Sequence, residues 1–189
     1  MVYIALVRGI NVGGNNKVKM AELKAMFERI GLSRVQTYIQ SGNVLFESDE
    51  KEGPLCERIE LAFKTTFGFE VSMILRTAAE LESLIAHCPF TKEEISAAEA
   101  ASDAESLYVT LLQQTPAEEA VQRLESYRTE GETYQVIDRD IYFLFHHSVR
   151  NSKLAGNMHK LGVPATTRNW KTISKLAGMA RAMAEPKDE

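Results

Sequence analysis

Val2-Tyr3-Ile4-Ala5-Leu6-Val7 carries no charged side chain on either alternating face, and the chain leaves it through Arg8-Gly9-Ile10-Asn11-Val12-Gly13-Gly14-Asn15-Asn16-Lys17. A stretch that is apolar on both faces reads as a strand buried from two sides. Met20, Leu23, Met26, Phe27 and Ile30 then recur at helical spacing. Val35–Gln40 and Val44–Glu47 read as short strands around a Ser41-Gly42-Asn43 turn. Leu55, Ile59, Ala62, Phe63 and Thr66 mark a second helix, with Pro54 in its first turn, and Val71–Leu75 a further strand. The order β-α-β-β-α-β is the ferredoxin-like unit. Its two helices cover one face of the sheet, so the apolar second face of the first strand predicts a cover from the second half or a partner chain.

The second half repeats much of this order. Thr77-Ala78-Ala79-Glu80 and Thr91-Lys92-Glu93-Glu94 have the spacing of capping boxes. Leu107–Leu112 reads as a strand, and Thr115-Pro116-Ala117-Glu118, with Thr115 as N-cap, Pro116 at N1 and Glu118 at N3, as the start of a helix through Leu124. Tyr134–Ile137 and Ile141–Phe145 form a hairpin, followed by helices near Lys153–Leu161 and Arg168–Met183. The expected fold is α+β: two packed ferredoxin-like (βαββαβ-type) subdomains, the first over 1–76, then a helical connection over 77–104, and over 105–189 a second, βαββα-type subdomain with C-terminal helices. No glycine- or serine-rich linker separates them.

Composition narrows the class. The chain has 189 residues, 44% hydrophobic and 25% charged, which excludes disorder and low-complexity classes. No apolar run approaches the ~20 residues of a membrane span. The Met1-Val2-Tyr3-Ile4 start lacks a basic leader, and two cysteines, Cys56 and Cys88, make no disulfide framework. The expectation is a cytoplasmic protein with no membrane partner and an oligomeric state the sequence leaves open.

The net charge of -4 hides a segregation. Residues 1–21 contain no acid beside Arg8, Lys17 and Lys19. Residues 141–184 contain none beside Arg150, Lys153, Lys160, Arg168, Lys171, Lys175 and Arg181. Between Glu22 and Asp140, acids outnumber bases 23 to 11. Such ends suit either a solvated basic face or an anionic ligand, which carboxylates would repel.

The Arg8–Lys17 loop is the strongest local signal. Glycines let backbone N–H groups converge on an anion, and Arg or Lys adds charge-assisted bonds. The loop matches neither a Walker A loop nor G-x-G-x-x-G. The candidate ligand-binding residues here are Arg8, Asn11, Gly13, Gly14 and Lys17. Ser41 and Asn43 in the hairpin turn join them, although loops after the first and second strands are expected at different ends of the sheet. Thr167 is expected to cap the last helix, with Arg168, Asn169 and Trp170 beside it and Lys153 on the preceding helix. There the free N–H groups and cations suit an anion, and Trp170 a stacked ring.

Metal and nucleophile chemistry find no pattern. His146-His147 alternate across a strand, His159 is isolated, and no C-x-x-C, H-E-x-x-H or G-x-S-x-G occurs. No catalytic residue, metal ligand or cofactor is assigned.

With Arg8-Gly9-Ile10-Asn11-Val12-Gly13-Gly14, Tyr38-Ile39-Gln40-Ser41-Gly42-Asn43 and Thr167-Arg168-Asn169-Trp170, the sequence resembles the uncharacterised bacterial family DUF1697 from Tyr3 to about Leu176. The resemblance implies an α+β fold of two ferredoxin-like subdomains and no known activity. Four functional readings stand: a binder, or an enzyme, for a phosphate-bearing small molecule at the basic Gly/Asn cleft; a single-stranded nucleic-acid binder, which the acidic pI of 5.7 disfavours; an acylphosphatase-like hydrolase, whose phosphate cradle Val7–Gly14 loosely resembles, with Asn43 positioning water; or a structural or partner-binding role.

Overall fold

All six residues of β1 (Val2–Val7) are buried, on both faces of its sheet. The computed structural model describes residues 1–185. They divide into two units, Met1–Ser83 with residues 174–185, and Leu84–Ile173. The two four-stranded antiparallel sheets with their helices are two ferredoxin-like subdomains, the expected fold class, although the fourth strand of the second sheet is not among the elements read from the sequence. No helix among the described residues is long and apolar enough to cross a membrane.

In the first unit, β1 is followed by α1 (Met20–Arg29), β2 (Ser33–Tyr38), β3 (Asn43–Glu47), α2 (Glu52–Phe67) and β4 (Met73–Thr77). The sheet order is β2-β3-β1-β4. Tyr3, Ala5 and Val7 of β1 enter a core with Leu23 and Phe27 of α1 and Ile59 and Phe63 of α2. Each such large side chain contributes roughly 1.5–3 kcal/mol on burial. The opposite face is also closed: Ile4 and Leu6 are fully buried. Val2 shares a depression with Thr77 and Ala78 and with Arg181 and Ala184 near the end of the last helix. The same helix end is fastened by Arg34 Nη1 donating to the Met183 carbonyl (2.6 Å) and Arg181 Nε to Glu82 Oε1 (2.8 Å). At Val2 the cover is thus the chain's own C-terminal helix.

The connection is α3 (Ala78–Ala86) and α4 (Lys92–Ala101), each opened by its expected box. Glu80 N–H donates to Thr77 Oγ1 (3.2 Å) and Thr77 N–H to Glu80 Oε2 (2.8 Å). Thr91 and Glu94 make the same reciprocal pair.

The second unit runs β5 (Leu107–Leu112), α5 (Glu118–Glu125), β6 (Glu132–Ile137), β7 (Asp140–Phe145), α6 (Lys153–Gly156) between two 3₁₀ turns, β8 (Ala165–Asn169) and the start of α7 (Trp170–Ala184), in sheet order β6-β7-β5-β8. Two local readings are corrected. Ala117, not Thr115, is the N-cap of α5, and no side chain caps it. Thr167 does not cap the last helix. It lies within β8, opposite Thr110 of β5, with the two hydroxyls 2.7 Å apart. Asn169 takes the cap, its Oδ1 accepting the Thr172 N–H at 2.9 Å.

The two central strands repeat in register with their neighbours. Tyr3 lies opposite Phe46 and Thr77, and Tyr108 opposite Phe143 and Asn169. Ile4 faces Leu45 and Arg76, as Val109 faces Tyr142 and Arg168. The bonds just past the central strands also correspond: Val7 N–H to Gly42 O (2.8 Å) with Leu112 N–H to Arg139 O (2.9 Å), and Arg8 N–H to Ser72 O (3.0 Å) with Gln113 N–H to Pro164 O (3.0 Å). In both units a helix follows the fourth strand directly.

Candidate functional site

The register equivalence shows what the first unit adds to the shared scaffold. In the second unit the central strand reaches its helix through Gln113–Ala117; in the first, the same crossing takes the long loop Arg8–Lys19. The excess is a structured protrusion. Asn11 N–H bonds Asn16 O (3.1 Å) and Asn15 N–H bonds Val12 O (3.2 Å), closing a miniature hairpin. Its tip, Gly13-Gly14, has φ of +59° and +81°, the mirror-image two-residue turn that favours glycine at both positions. Ile10 and Val18, both buried, anchor the base. Asn16 Nδ2 donates to Gly9 O at 3.2 Å, which sets Arg8 and Lys17 on either side of that base.

Asn11 locks this loop. Its Oδ1 accepts the Val18 N–H (2.8 Å), while Nδ2 donates to Val18 O (2.9 Å) and to Gln40 O (2.8 Å). The last bond reaches the β2–β3 turn. That turn lies at the same end of the sheet as the loop, contrary to the sequence-based expectation, because β1 and β2 are both antiparallel to β3 and hence parallel to each other. Gly42 sets the contact: a Cβ there would lie 2.8 Å from Ile10 Cδ1 and 3.0 Å from Val7 Cβ. Asn43 is wholly buried, its Nδ2 donating to Tyr38 O (2.9 Å) and Ser41 Oγ (3.0 Å). That nitrogen is committed to shaping the turn and does not face solvent.

Ile39 in this turn has φ +48° and is 48% exposed. A β-branched side chain in the left-handed region costs roughly 1–3 kcal/mol. Burial does not compensate it here.

A depression of about 590 Å³ opens between the loop, the turn and the start of α1, lined by residues including Asn11, Gly14, Lys17, Lys19, Glu22 and Gln40. The α1 N-terminus has no side-chain cap, so its first N–H groups remain open. Lys19 pairs with Glu22 at 3.4 Å. Lys17 and Arg8 are exposed and have no carboxylate partner among the described residues. The depression is thus lined by one unpaired cation, Lys17, the Lys19–Glu22 pair and the start of a helix, and Arg8 lies outside its lining.

The remaining candidates belong to the second unit. Lys153 is exposed on α6, which Ser152 caps through the Ala155 N–H (3.0 Å). Arg168 Nη1 donates to Thr166 Oγ1 (2.7 Å) and Thr167 O (2.9 Å), and surrounding protein pushes its pKa down to about 10. Trp170 packs with Leu107, Leu144 and Ala98, its ring 6.5 Å from that of Tyr142. Structure therefore brings Arg8, Asn11, Gly13, Gly14, Lys17, Ser41 and Asn43 together at one end of the first sheet, and keeps Thr167–Trp170 contiguous in the second unit. Gln40 and Lys19, which line the depression, were not among the candidate residues, and Ile39 stands in the turn beside Gln40 but outside that lining. Gln40 and Ile39 stand in the quoted turn motif, but their value depends on the parallel relation of β1 and β2.

Among the described residues no cluster of three metal-ligating side chains occurs. Burial raises both thiols, Cys56 to about 12, so neither is an activated nucleophile.

The family model described as "Protein of unknown function (DUF1697)" matches residues 1–142. The chain belongs to this family. The matched span includes the whole first-unit site and ends before Thr167. Among solved structures, the conserved bacterial protein SP0830 from Streptococcus pneumoniae is similar at 30% identity and a TM-score of 0.72, over 95% of this chain and 98% of its own. No curated protein matches the chain.

Proposed function

We propose that the first unit binds a phosphate-bearing small molecule in the depression beside the Arg8–Lys19 loop. One observation carries the reading: the equivalent crossing in the second unit closes with five residues, so the protrusion and its two unpaired cations, Arg8 and Lys17, exceed what the fold requires. Arg8 and Lys17 supply the charge, and the open N–H groups at the start of α1 complement an anion. Asn11 and the Gly13-Gly14 turn hold the loop rigid, which lowers the ordering cost of binding. Ser41 and Asn43 shape the turn that forms the opposite wall.

The site is a binding site in this reading. An acylphosphatase-like step would need a side chain to position water, and the Asn43 nitrogen is spent inside the turn. Melting temperature measured against inorganic phosphate, nucleotides and sugar phosphates tests the proposal. At least one is expected to raise Tm in the wild type and not in Arg8→Ala/Lys17→Ala; a binder that stabilises both proteins equally contradicts it.

A further inference from the structure

The sheet edges are β2 and β4 in the first unit and β6 and β8 in the second. An edge presents N–H and C=O groups that another strand can take up, unless something obstructs them. Three of the four are obstructed. On β4 side chains occupy the outward groups. Met73 N–H donates to Glu60 Oε1 (2.8 Å) and its carbonyl accepts from Cys56 Sγ (3.4 Å). The Leu75 carbonyl accepts from Arg76 Nη1 (2.9 Å), and Thr77 N–H donates to Glu80 Oε2 (2.8 Å). β2 is bulged between Ser33 and Gln36, with Arg34 at a φ of +50°. On β8 the Thr167 carbonyl accepts from Arg168 Nη1 at 2.9 Å.

β6 carries no such obstruction among the described residues. It pairs with β7 in unbroken register from Glu132–Phe145 to Ile137–Asp140. Two flanking bonds fix which way its backbone points: His146 N–H reaches Gly131 O (2.9 Å), whereas Phe145 N–H reaches Ser106 O (2.9 Å). Even-numbered residues of β7 therefore bond β6, and odd-numbered ones bond β5. Tyr134 and Val136 lie opposite Phe143 and Ile141, so both turn their backbone groups to the open edge. Thr133–Ile137 contains neither a charge nor a proline, the residues that usually blunt an edge.

We infer that this edge joins a second copy of the chain, β6 running antiparallel to β6 about a two-fold axis. Tyr134 exchanges both backbone bonds with Val136 of the second copy, and Val136 with its Tyr134. The strand matches itself in that register, which distinguishes a second copy from an arbitrary extended peptide. Tyr134 beside Val136 is an aromatic–β-branched pair, and Thr133 meets Ile137 on the other face. Tyr134 and Val136 already border the core of the second unit, so the pairing extends it. Exposed Gln135 faces its own copy on the axis. The first acids beyond, Glu132 and Asp138, come opposite one another at the ends, where salt screens them.

Light scattering of the full chain over a concentration series at raised salt tests the proposal. The mean mass is expected to rise from the monomer toward twice that value. Gln135→Lys sets two ammonium groups against each other on the axis and should hold the monomer mass throughout, with Tm unchanged because the side chain is exposed. Gln135→Cys reads the register. Directly opposite residues of a non-hydrogen-bonded pair have Cα atoms about 4.5 Å apart, within disulfide reach. Mild oxidation should therefore give a covalent dimer for Gln135→Cys, and not for Thr133→Cys or for the wild type with Cys56 and Cys88 alone. A wild type that stays monomeric at every concentration overturns the proposal and leaves the edge to a strand from another protein. A dimer that Gln135→Lys fails to dissociate, or Thr133→Cys crosslinking as readily as Gln135→Cys, overturns it as well.

Discussion

Asn11 Nδ2 donates to the Gln40 carbonyl at 2.8 Å, and this bond ties the β1–α1 loop to the β2–β3 turn. The same amide closes its own loop through both polar groups of Val18. Asn11→Ala removes three hydrogen bonds and places alanine at a φ of +55°, so a loss of about 1–3 kcal/mol is expected. Hydrogen exchange locates the effect. The Val18 amide should lose protection while β1 amides in the sheet keep theirs relative to the lowered global stability.

Gly42 approaches Ile10 and Val7 too closely for any side chain, and its φ is +81°. Gly42→Ala should therefore lower stability by about 2–3 kcal/mol, read as a shift in urea midpoint at constant m-value. Shortening the obstructing side chain with Ile10→Val, which clears the Cδ1 atom, should recover part of the loss. A neutral Gly42→Ala would contradict the packed contact.

Glu132 is a buried carboxylate on β6. Its Oε2 accepts the Thr129 N–H at 2.8 Å, while Oε1 has no hydrogen bond and faces His147 Nε2 at 3.5 Å. The other His147 nitrogen lies 3.0 Å from the Ser148 carbonyl. His147→Ala should cost about 1–3 kcal/mol, because it removes the imidazole nitrogen beside the buried Oε1 and leaves that oxygen with no neighbouring partner. Glu132→Leu, which removes the buried oxygens as well, should make a subsequent His147→Ala substitution nearly silent in a double-mutant cycle.

Cys56 supplies a pH test. Burial, reinforced by Glu60 and Glu52, pushes its thiol up to about 12. An unfolded thiol ionises near ~8.5, so between ~8.5 and 12 the unfolded state has lost a proton that the folded state keeps. The stabilisation is full below ~8.5 and is lost as pH rises, by ~1.4 kcal/mol per unit. Denaturant melts between pH 8 and about 9, where unfolded tyrosines with a value near ~10 remain largely protonated, should show a steeper decline for wild type than for Cys56→Ala.

Much of this fold was legible because β1 is apolar on both faces and the capping boxes at Thr77 and Thr91 are specific. β8 was not. Thr166-Thr167-Arg168-Asn169 contains residues equally suited to an edge strand and to a helix cap, and the cap falls two residues later, at Asn169. The internal repeat held the missing signal. Arg76 immediately precedes a helix cap after the fourth strand of the first unit, and Arg168 stands in the same register place. The candidate site was half legible. Its glycine loop and cations could be read directly, whereas its second wall depends on β1 and β2 running parallel, a relation set by pairing with β3 and not by any local sequence. Trp170 and Asn43 drew attention as polar or stacking groups, and packing explains much of their placement.

Chemical-shift perturbation of the full chain by inorganic phosphate tests the central claim most directly. The account predicts saturable shifts confined to the amides of residues 9–22 and 39–42, abolished by Arg8→Ala/Lys17→Ala. Shifts scattered over other lysines and arginines, or unchanged in that variant, would contradict it.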